Sequence, residues 1–268
     1  MKITLFQSFT LLMAFFGASL FVSCKKTHVT PAPPVDSLKV GLLAYYTLDN
    51  TGADSSGNKY DGTVYDINSA PDRFGNANGA YYFNGVSSYI TIPDNPSIRL
   101  NQTDFTLNAW VKTNDYGNSY QADILAKRAT GANNGWVFCL LGGAVSPTGV
   151  MGYGPGGGSI NAYGTTAVSL NQWHMLTVVY TLSKLQTDMY IDGGKTSTVT
   201  GTYTGGVFGS SSSGVVSPNA SISEPMYIGR DDMSIAADYF FNGSMDDIRI
   251  YSRAISQKQI QQLFSATK

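Results

Sequence analysis

From Phe105 to Thr113 the chain alternates strictly. Phe105, Leu107, Ala109 and Val111 fall on one face, and Thr106, Asn108, Trp110 and Lys112 on the other. A period of two sends successive side chains to opposite faces of a strand. Comparable β-rich runs recur at Leu42–Leu48, Ala80–Phe83, Ser88–Ile92, Ala122–Lys127, Trp136–Leu141, Trp173–Tyr180, Thr187–Ile191, Met226–Ile228 and Met245–Tyr251, separated by Gly, Asn, Asp and Ser clusters. About ten to fourteen strands in one chain require two stacked sheets or a barrel. Asp192-Gly193-Gly194, between Tyr190 and Lys195, predicts a hairpin turn. Gly142 to Gly164 and Thr200 to Pro225 read as long loops, the second carrying Ser210 to Ser213 in a row. One helix is predicted, at the C-terminal end. Ser256-Gln257-Lys258-Gln259 is a capping box, Ile255 and Ile260 are spaced for a hydrophobic staple, and Ile260, Leu263 and Phe264 form an apolar face. The helix is short, so it must dock on the sheets to persist.

The N-terminal segment follows neither pattern. Lys2 precedes an apolar run, Phe9 to Val22, broken by Thr10, Gly17 and Ser19. The run is too short and interrupted for a comfortable membrane span and reads as a secretory signal over 1–23. Its ending, Leu20-Phe21-Val22-Ser23-Cys24, resembles a bacterial lipobox, which implies cleavage before Cys24 and lipidation of its thiol. The competing reading is a plain signal peptide with an incidental cysteine. Residues 24–39, with Pro31, Pro33 and Pro34, fit a stiff tether, and 40–268 form the body. The expected location is the bacterial cell envelope, lipid-anchored at the outer membrane. Lys25 and Lys26 follow the cysteine, where some surface-exported lipoproteins carry acidic residues, so both the periplasmic and the surface face stay open.

Composition narrows the chemistry. Lys+Arg number 17 and Asp+Glu 18, and only 13% of residues are charged, which excludes a charge-driven nucleic-acid binder. Glu224 is the sole glutamate, which argues against long helices and excludes any mechanism built on two glutamates. With Cys24 lipidated, Cys139 is left without a disulfide partner and reads as a buried small hydrophobe. His174 follows Trp173 at a strand start, the chain lacks G-x-S-x-G, and the histidine reads as structural. Trp110, Trp136 and Trp173 read as core. Asp231-Asp232 and Asp246-Asp247 are adjacent pairs, and neighbours on a strand point to opposite faces, so neither forms a carboxylate dyad unaided.

Four segments, in order, carry a family resemblance. The first is Leu43-Ala44-Tyr45-Tyr46-Thr47-Leu48-Asp49 with Asp54-Ser55-Ser56-Gly57-Asn58 and Asp61-Gly62-Thr63. The second is Phe74-Gly75 with Tyr82-Phe83-Asn84-Gly85 and Tyr89-Ile90. The third is Phe105 to Lys112 with Trp173-His174 and Tyr190-Ile191-Asp192-Gly193. The last is Ile228-Gly229-Arg230 with Asn242 to Tyr251 and Arg253-Ala254-Ile255-Ser256. Together they resemble the concanavalin A-like, laminin-G-like jelly-roll domains of secreted bacterial proteins. The resemblance implies an all-β fold, a two-sheet antiparallel jelly-roll sandwich with one short C-terminal helix. The serine-rich stretch before Met226 departs from it as an insertion.

The resemblance implies sugar binding as the commonest use. Retaining glucanases of this fold resemble one another by two glutamates flanking an aspartate, which this chain cannot supply. The expected function is therefore a non-catalytic carbohydrate-binding or adhesion module on a lipoprotein. The alternatives are an aspartate-dependent glycan hydrolase and a protein-binding structural component of an envelope complex. The expected partners are a glycan or an envelope protein. Sugars need exposed aromatic faces and a few polar groups; loop aromatics Tyr116, Tyr120, Tyr153, Tyr163 and Tyr239 are the candidates. A structural Ca²⁺ is expected from hard oxygens at Asp49, Asp54 and Asn58, which the implied fold would bring towards Asp246 and Asp247. The competing reading of that loop is a set of Asx turns in which Asp and Asn satisfy their own backbone.

Overall fold

A computed structural model describes residues 37–100, 103–116, 121–128, 135–141, 147–153, 159–184, 186–200, 223–231 and 239–266. The chain divides between Pro34 and Val35, and the described residues belong to the second unit. The signal, Cys24 and the proline tether up to Pro34 lie outside them.

Fifteen strands, one α-helix and two short 3-10 helices, Pro96–Arg99 and Leu182–Lys184, are described. The strands and the α-helix are β1 (Leu42–Tyr46), β2 (Thr63–Tyr65), β3 (Asn68–Ala70), β4 (Ala80–Asn84), β5 (Tyr89–Ile92), β6 (Phe105–Thr113), β7 (Gln121–Arg128), β8 (Gly135–Leu141), β9 (Pro147–Tyr153), β10 (Ser159–Ala167), β11 (His174–Thr181), β12 (Gln186–Ile191), β13 (Gly194–Thr200), β14 (Met226–Ile228), β15 (Asn242–Tyr251) and α1 (Gln257–Ser265). The strands form two antiparallel sheets. The larger runs β13-β12-β11-β6-β15-β4-β3, with β1 pairing the second half of β15 beside β4. The smaller runs β10-β9-β8-β7-β14-β5-β2. This is the jelly-roll sandwich that the sequence resemblance implied.

The alternation along β6 sets the layers. Phe105, Leu107, Ala109 and Val111 enter the core between the sheets with Phe83, Ile90, Trp136, Phe138, Leu176 and Ile250. Trp110 instead joins a second apolar cluster with Met175, Val179, Tyr190, Tyr251, Ile255, Ile260 and Leu263. That cluster lies on the outer face of the larger sheet, where α1 docks. The predicted capping box is present: the Ser256 hydroxyl accepts the Gln259 N–H at 3.3 Å, and Gln259 Oε1 accepts the Ser256 N–H at 3.0 Å. Arg253 ties the approach to the helix by donating to the Ser37 and Val40 carbonyls at 2.7 and 2.6 Å.

Two sequence expectations are corrected. Gly142 to Gly164 is not one long loop, because it contains the hairpin β9–β10. Its glycines favour no strand by themselves, but the ladder of β8 supplies partners, and Gly152 sits opposite the bulky Trp136. Trp173 is not core: it lies half-buried just before β11. Of the predicted loop from Thr200 to Pro225, residues 201–222 lie outside the described ones.

Candidate functional site

The loop from Asp49 to Asp61 is organised by its own backbone. Asp54 Oδ1 accepts the N–H groups of Tyr45 and Ser56, each at 2.9 Å, and Oδ2 accepts the Ser56 hydroxyl at 2.8 Å and the Tyr60 N–H at 3.1 Å. Asp61 Oδ1 accepts the Asp54 N–H at 2.8 Å. Asn58 turns its amide nitrogen to the Leu43 carbonyl at 2.8 Å. These are Asx-type contacts.

The carboxylates expected to join that loop face elsewhere. β15 carries a bulge between Asp246 and Arg249, with Asp247 at φ +50°. A bulge re-aims side chains, so the two aspartates do not oppose each other as regular strand neighbours would. Both reach Arg73, whose Nη1 lies 2.6 Å from Asp246 and 2.7 Å from Asp247. Asp247 also accepts from the Tyr45 hydroxyl and from Arg249 at 3.3 Å, and burial pushes the Tyr45 phenol above its ordinary range. Arginines thus balance these buried charges. Among the described residues no three Asp, Glu, His or Cys side chains converge as a metal site; of the expected calcium ligands, Asp54 and Asn58 turn to the backbone of the loop and of β1, and Asp246 and Asp247 turn to Arg73.

The same Arg73 begins a cleft. Asp72, buried, accepts the Phe74 and Asn76 N–H groups at 2.8 and 2.9 Å and so fixes the loop that carries Arg73 and Phe74. The Arg73 guanidinium packs over the rings of Phe74 and Trp110, at 4.4 and 4.6 Å from their centroids. Trp110 stacks on Phe264 of α1, with centroids 5.5 Å apart and planes at 14°. The predicted hairpin turn between β12 and β13 supplies the next wall. Asp192 and Gly193 both take positive φ, at +51° and +76°, as a type I′ turn requires. A cavity of about 330 Å³ results, lined by Arg73, Phe74, Trp110, Trp173, Asp192 and the end of α1 from Phe264 to Ala266. Phe74 and Phe264 remain 48% and 39% exposed. Four aromatic rings around a small cavity with charged groups at its wall is a chemistry suited to a ligand with both apolar and hydroxyl faces.

Beside the cleft, His174 Nδ1 donates to Asp192 Oδ2 at 2.7 Å, and His174 Nε2 lies 2.6 Å from the Ser169 hydroxyl. Asp192 Oδ1 accepts the Met175 N–H at 2.8 Å. This is the order of a serine relay. Ser169, however, is exposed and is not part of the cleft lining. The row ties the entry of β11 to the β12–β13 turn, in keeping with a structural histidine. Cys139 is fully buried and burial pushes its thiol well up, which removes it as a nucleophile.

Several expected sugar contacts fall elsewhere. The Tyr116 hydroxyl donates to the Val168 carbonyl at 2.6 Å, a tie between loops, and neither Tyr116 nor Tyr239 lines the cleft. Tyr120 and the side chains of Tyr153 and Tyr163 lie outside the described residues. The missed residues are Arg73, Phe74, Trp110, Trp173, Asp192 and Phe264. One signal for them was present: Trp110 alternates with the core residues of β6 and so belongs to the opposite face.

A family model described as the concanavalin A-like lectin/glucanases superfamily matches residues 83–261. The chain belongs to this superfamily. Solved structures share the superfamily's sandwich at low identity. The binding domain of Paraclostridial Mosquitocidal Protein 1 aligns with a TM-score of 0.61 and 19% identity, over 85% of this chain and 52% of that one. Domain 4 of AbnA, a GH43 extracellular arabinanase from Geobacillus stearothermophilus solved with arabinotriose, aligns with a TM-score of 0.59 and 20% identity, over 84% and 98%. A botulinum neurotoxin type C structure, described as depending on two ganglioside molecules for cell entry, aligns with a TM-score of 0.57 and 15% identity, over 85% and 51%. The chain thus spans about half of the toxin chains and nearly all of the arabinanase domain. No curated protein matches.

Proposed function

We propose that this protein is a non-catalytic carbohydrate-binding module that holds its ligand in the cleft between α1 and the outer face of the larger sheet. The observation that carries the reading is the set of four rings, Phe74, Trp110, Trp173 and Phe264, around one cavity with Arg73 and Asp192 at its wall. Sugar C–H faces pack on such rings while hydroxyls take the polar groups. Membership of a lectin and glucanase superfamily supports it, as does the likeness to an arabinanase domain solved with arabinotriose. The absence of a second glutamate removes the paired-glutamate route to hydrolysis. In the same reading Cys24 carries a lipid, residues after it tether the module, and the membrane held is the bacterial outer membrane. A glycan array of the full chain tests the binding. Wild-type protein is expected to bind a defined glycan set, and Trp173→Ala to lose at least about tenfold, the scale of a large aromatic anchor. Silence on the array, with capture of an envelope protein instead, would replace this reading by a protein-binding one.

A further inference from the structure

The row Ser169–His174–Asp192 holds chemistry that sugar binding does not use. Asp192 Oδ1 accepts the Met175 N–H at 2.8 Å, which fixes the carboxylate. Its Oδ2 lies 2.7 Å from His174 Nδ1. A carboxylate only accepts, so Nδ1 carries the proton and Nε2 is left as an acceptor. The Ser169 hydroxyl, 2.6 Å away, donates to it. A nucleophile, a base and a third group that orients the base, each within hydrogen-bond reach, is the arrangement that activates a serine. The link between Asp192 and His174 is enough to tie β11 to the β12–β13 turn. Ser169 is exposed, so its hydroxyl has water available to it, and burial does not account for its bond to Nε2.

The backbone holds all three groups in place. Val168, before the serine, is buried in the core, and its carbonyl accepts the Tyr116 hydroxyl at 2.6 Å. Asn171, after it, donates its N–H to the Thr113 carbonyl at 2.7 Å and takes φ +59°. His174 opens β11 in register with Val111 of β6. A nucleophile and base positioned in this way need little reorganisation to react. Exposure leaves Ser169 Oγ open to an electrophile arriving from solvent. The chain has two histidines, and His28 lies outside the described residues. Among the described residues, Ser169 is therefore the serine that an imidazole serves.

We propose that Ser169 is a site of covalent acylation by activated carboxylic esters. Ser169 Oγ attacks the ester carbonyl carbon while its proton passes to His174 Nε2. The bond from that carbon to the leaving oxygen breaks, the acyl group stays on Oγ, and the leaving oxygen takes the proton from Nε2. The imidazolium formed on the way is stabilised by Asp192. This step goes beyond the binding reading and touches no glycosidic bond. The test is mass spectrometry of the full chain after treatment with p-nitrophenyl acetate and, separately, with a fluorophosphonate, which forms the corresponding Oγ–P bond with loss of fluoride. An acetyl or phosphonyl group is expected on Ser169, with a burst of p-nitrophenolate in the acetate reaction. The exposed serines Ser97 and Ser252 are internal controls and should stay unlabelled. Ser169→Ala, a surface change, is expected to remove the label. His174→Gln keeps hydrogen-bonding groups but no base, and is expected to slow labelling at least about hundredfold, the lower end for general-base assistance. Ser169 labelled no faster than Ser97 and Ser252, or full labelling in His174→Gln, overturns the inference and leaves the row as a structural tie. Release that continues past the burst and is abolished in Ser169→Ala upholds the nucleophile and overturns the non-catalytic part of the reading above. A glycan array silent for every sugar, with Ser169 still labelled, overturns the binding reading alone.

Discussion

Asp94 shows how much one buried charge depends on another. Lys127 Nζ, 0% exposed, reaches Asp94 at 2.7 Å and the Glu224 carbonyl, while Arg99 grips the same carboxylate through Nη2 and through Nε at 3.1 Å. The Arg99 hydrogen bonds, then Lys127, hold the Asp94 carboxyl down at about 2 against an ordinary 3.8. The folded carboxyl titrates below the unfolded one. Its stabilisation is therefore complete above the unfolded value and disappears as pH falls through the folded one. Asp94→Ala strands the Lys127 ammonium, and the expected loss is roughly 3 kcal/mol near neutral pH, the lower end for breaking a buried pair. Thermal melts should show the gap between wild type and variant closing between about pH 4 and pH 2; a gap independent of pH would contradict the assignment. Asp54 gives a second residue-level expectation. Its carboxylate satisfies three backbone N–H groups and one hydroxyl, so Asp54→Ala should cost about 1–3 kcal/mol, or several degrees at roughly 2–4 °C per kcal/mol. With its oxygens taken by these donors, that loss is expected to be the same with chelator as with added calcium. A calcium-dependent difference would instead support the calcium site expected from the sequence.

At the level of elements, local chemistry and close packing act together. The β12–β13 hairpin follows from Asp192-Gly193, and its type I′ backbone delivers Asp192 to the cleft. The β15 bulge has no such signature, because it is visible only once β6 and β1 have fixed the register on either side. Gly229, just after β14, sits at φ +85°, and a Cβ there would lie 2.4 Å from the ring of Phe83 in the core. Neither the backbone nor the ring can yield cheaply, so Gly229→Ala is expected to cost about 2–4 kcal/mol through strain and overpacking together. Urea denaturation measures this, and a midpoint within error of wild type would show that Phe83 has room to move.

For the whole molecule, the sandwich brings distant segments to one surface. Arg73 and Phe74, Trp110, Trp173, Asp192 and Phe264 come from five separate parts of the chain and meet where α1 ends against the larger sheet. A module of this kind is expected to bind glycan without cutting it: incubation with common β-glucans should release no reducing sugar. An activity abolished by an Asp→Asn change would overturn that expectation. The proposed lipid anchor is a separate, whole-chain expectation. Cys24→Ala should leave the precursor uncleaved or release the protein from membranes, and mass spectrometry of the membrane fraction should find a lipidated Cys24 in the wild type.

The sequence by itself determined the fold class. Period-two alternation in β6, the β-rich runs, the Asp192-Gly193 turn and the Ser256 capping box all rest on contacts within a few residues or on a single buried face, and those are written locally. It also determined the single glutamate and the buried Cys139. Tertiary structure decided the rest. Glycine-rich β9 and β10 became strands because β8 offered a ladder. Asp246 and Asp247 faced Arg73 because a bulge formed in register with neighbours far away in sequence. Trp110 took a place in the second apolar cluster under α1, at the base of the cleft, and Trp173 was left half-buried at its edge, because α1 docked on the outer face of the sheet. Alternation tells which side of a sheet a residue takes. Whether that side meets solvent, a helix or a cavity depends on what packs there, and no local pattern encodes it.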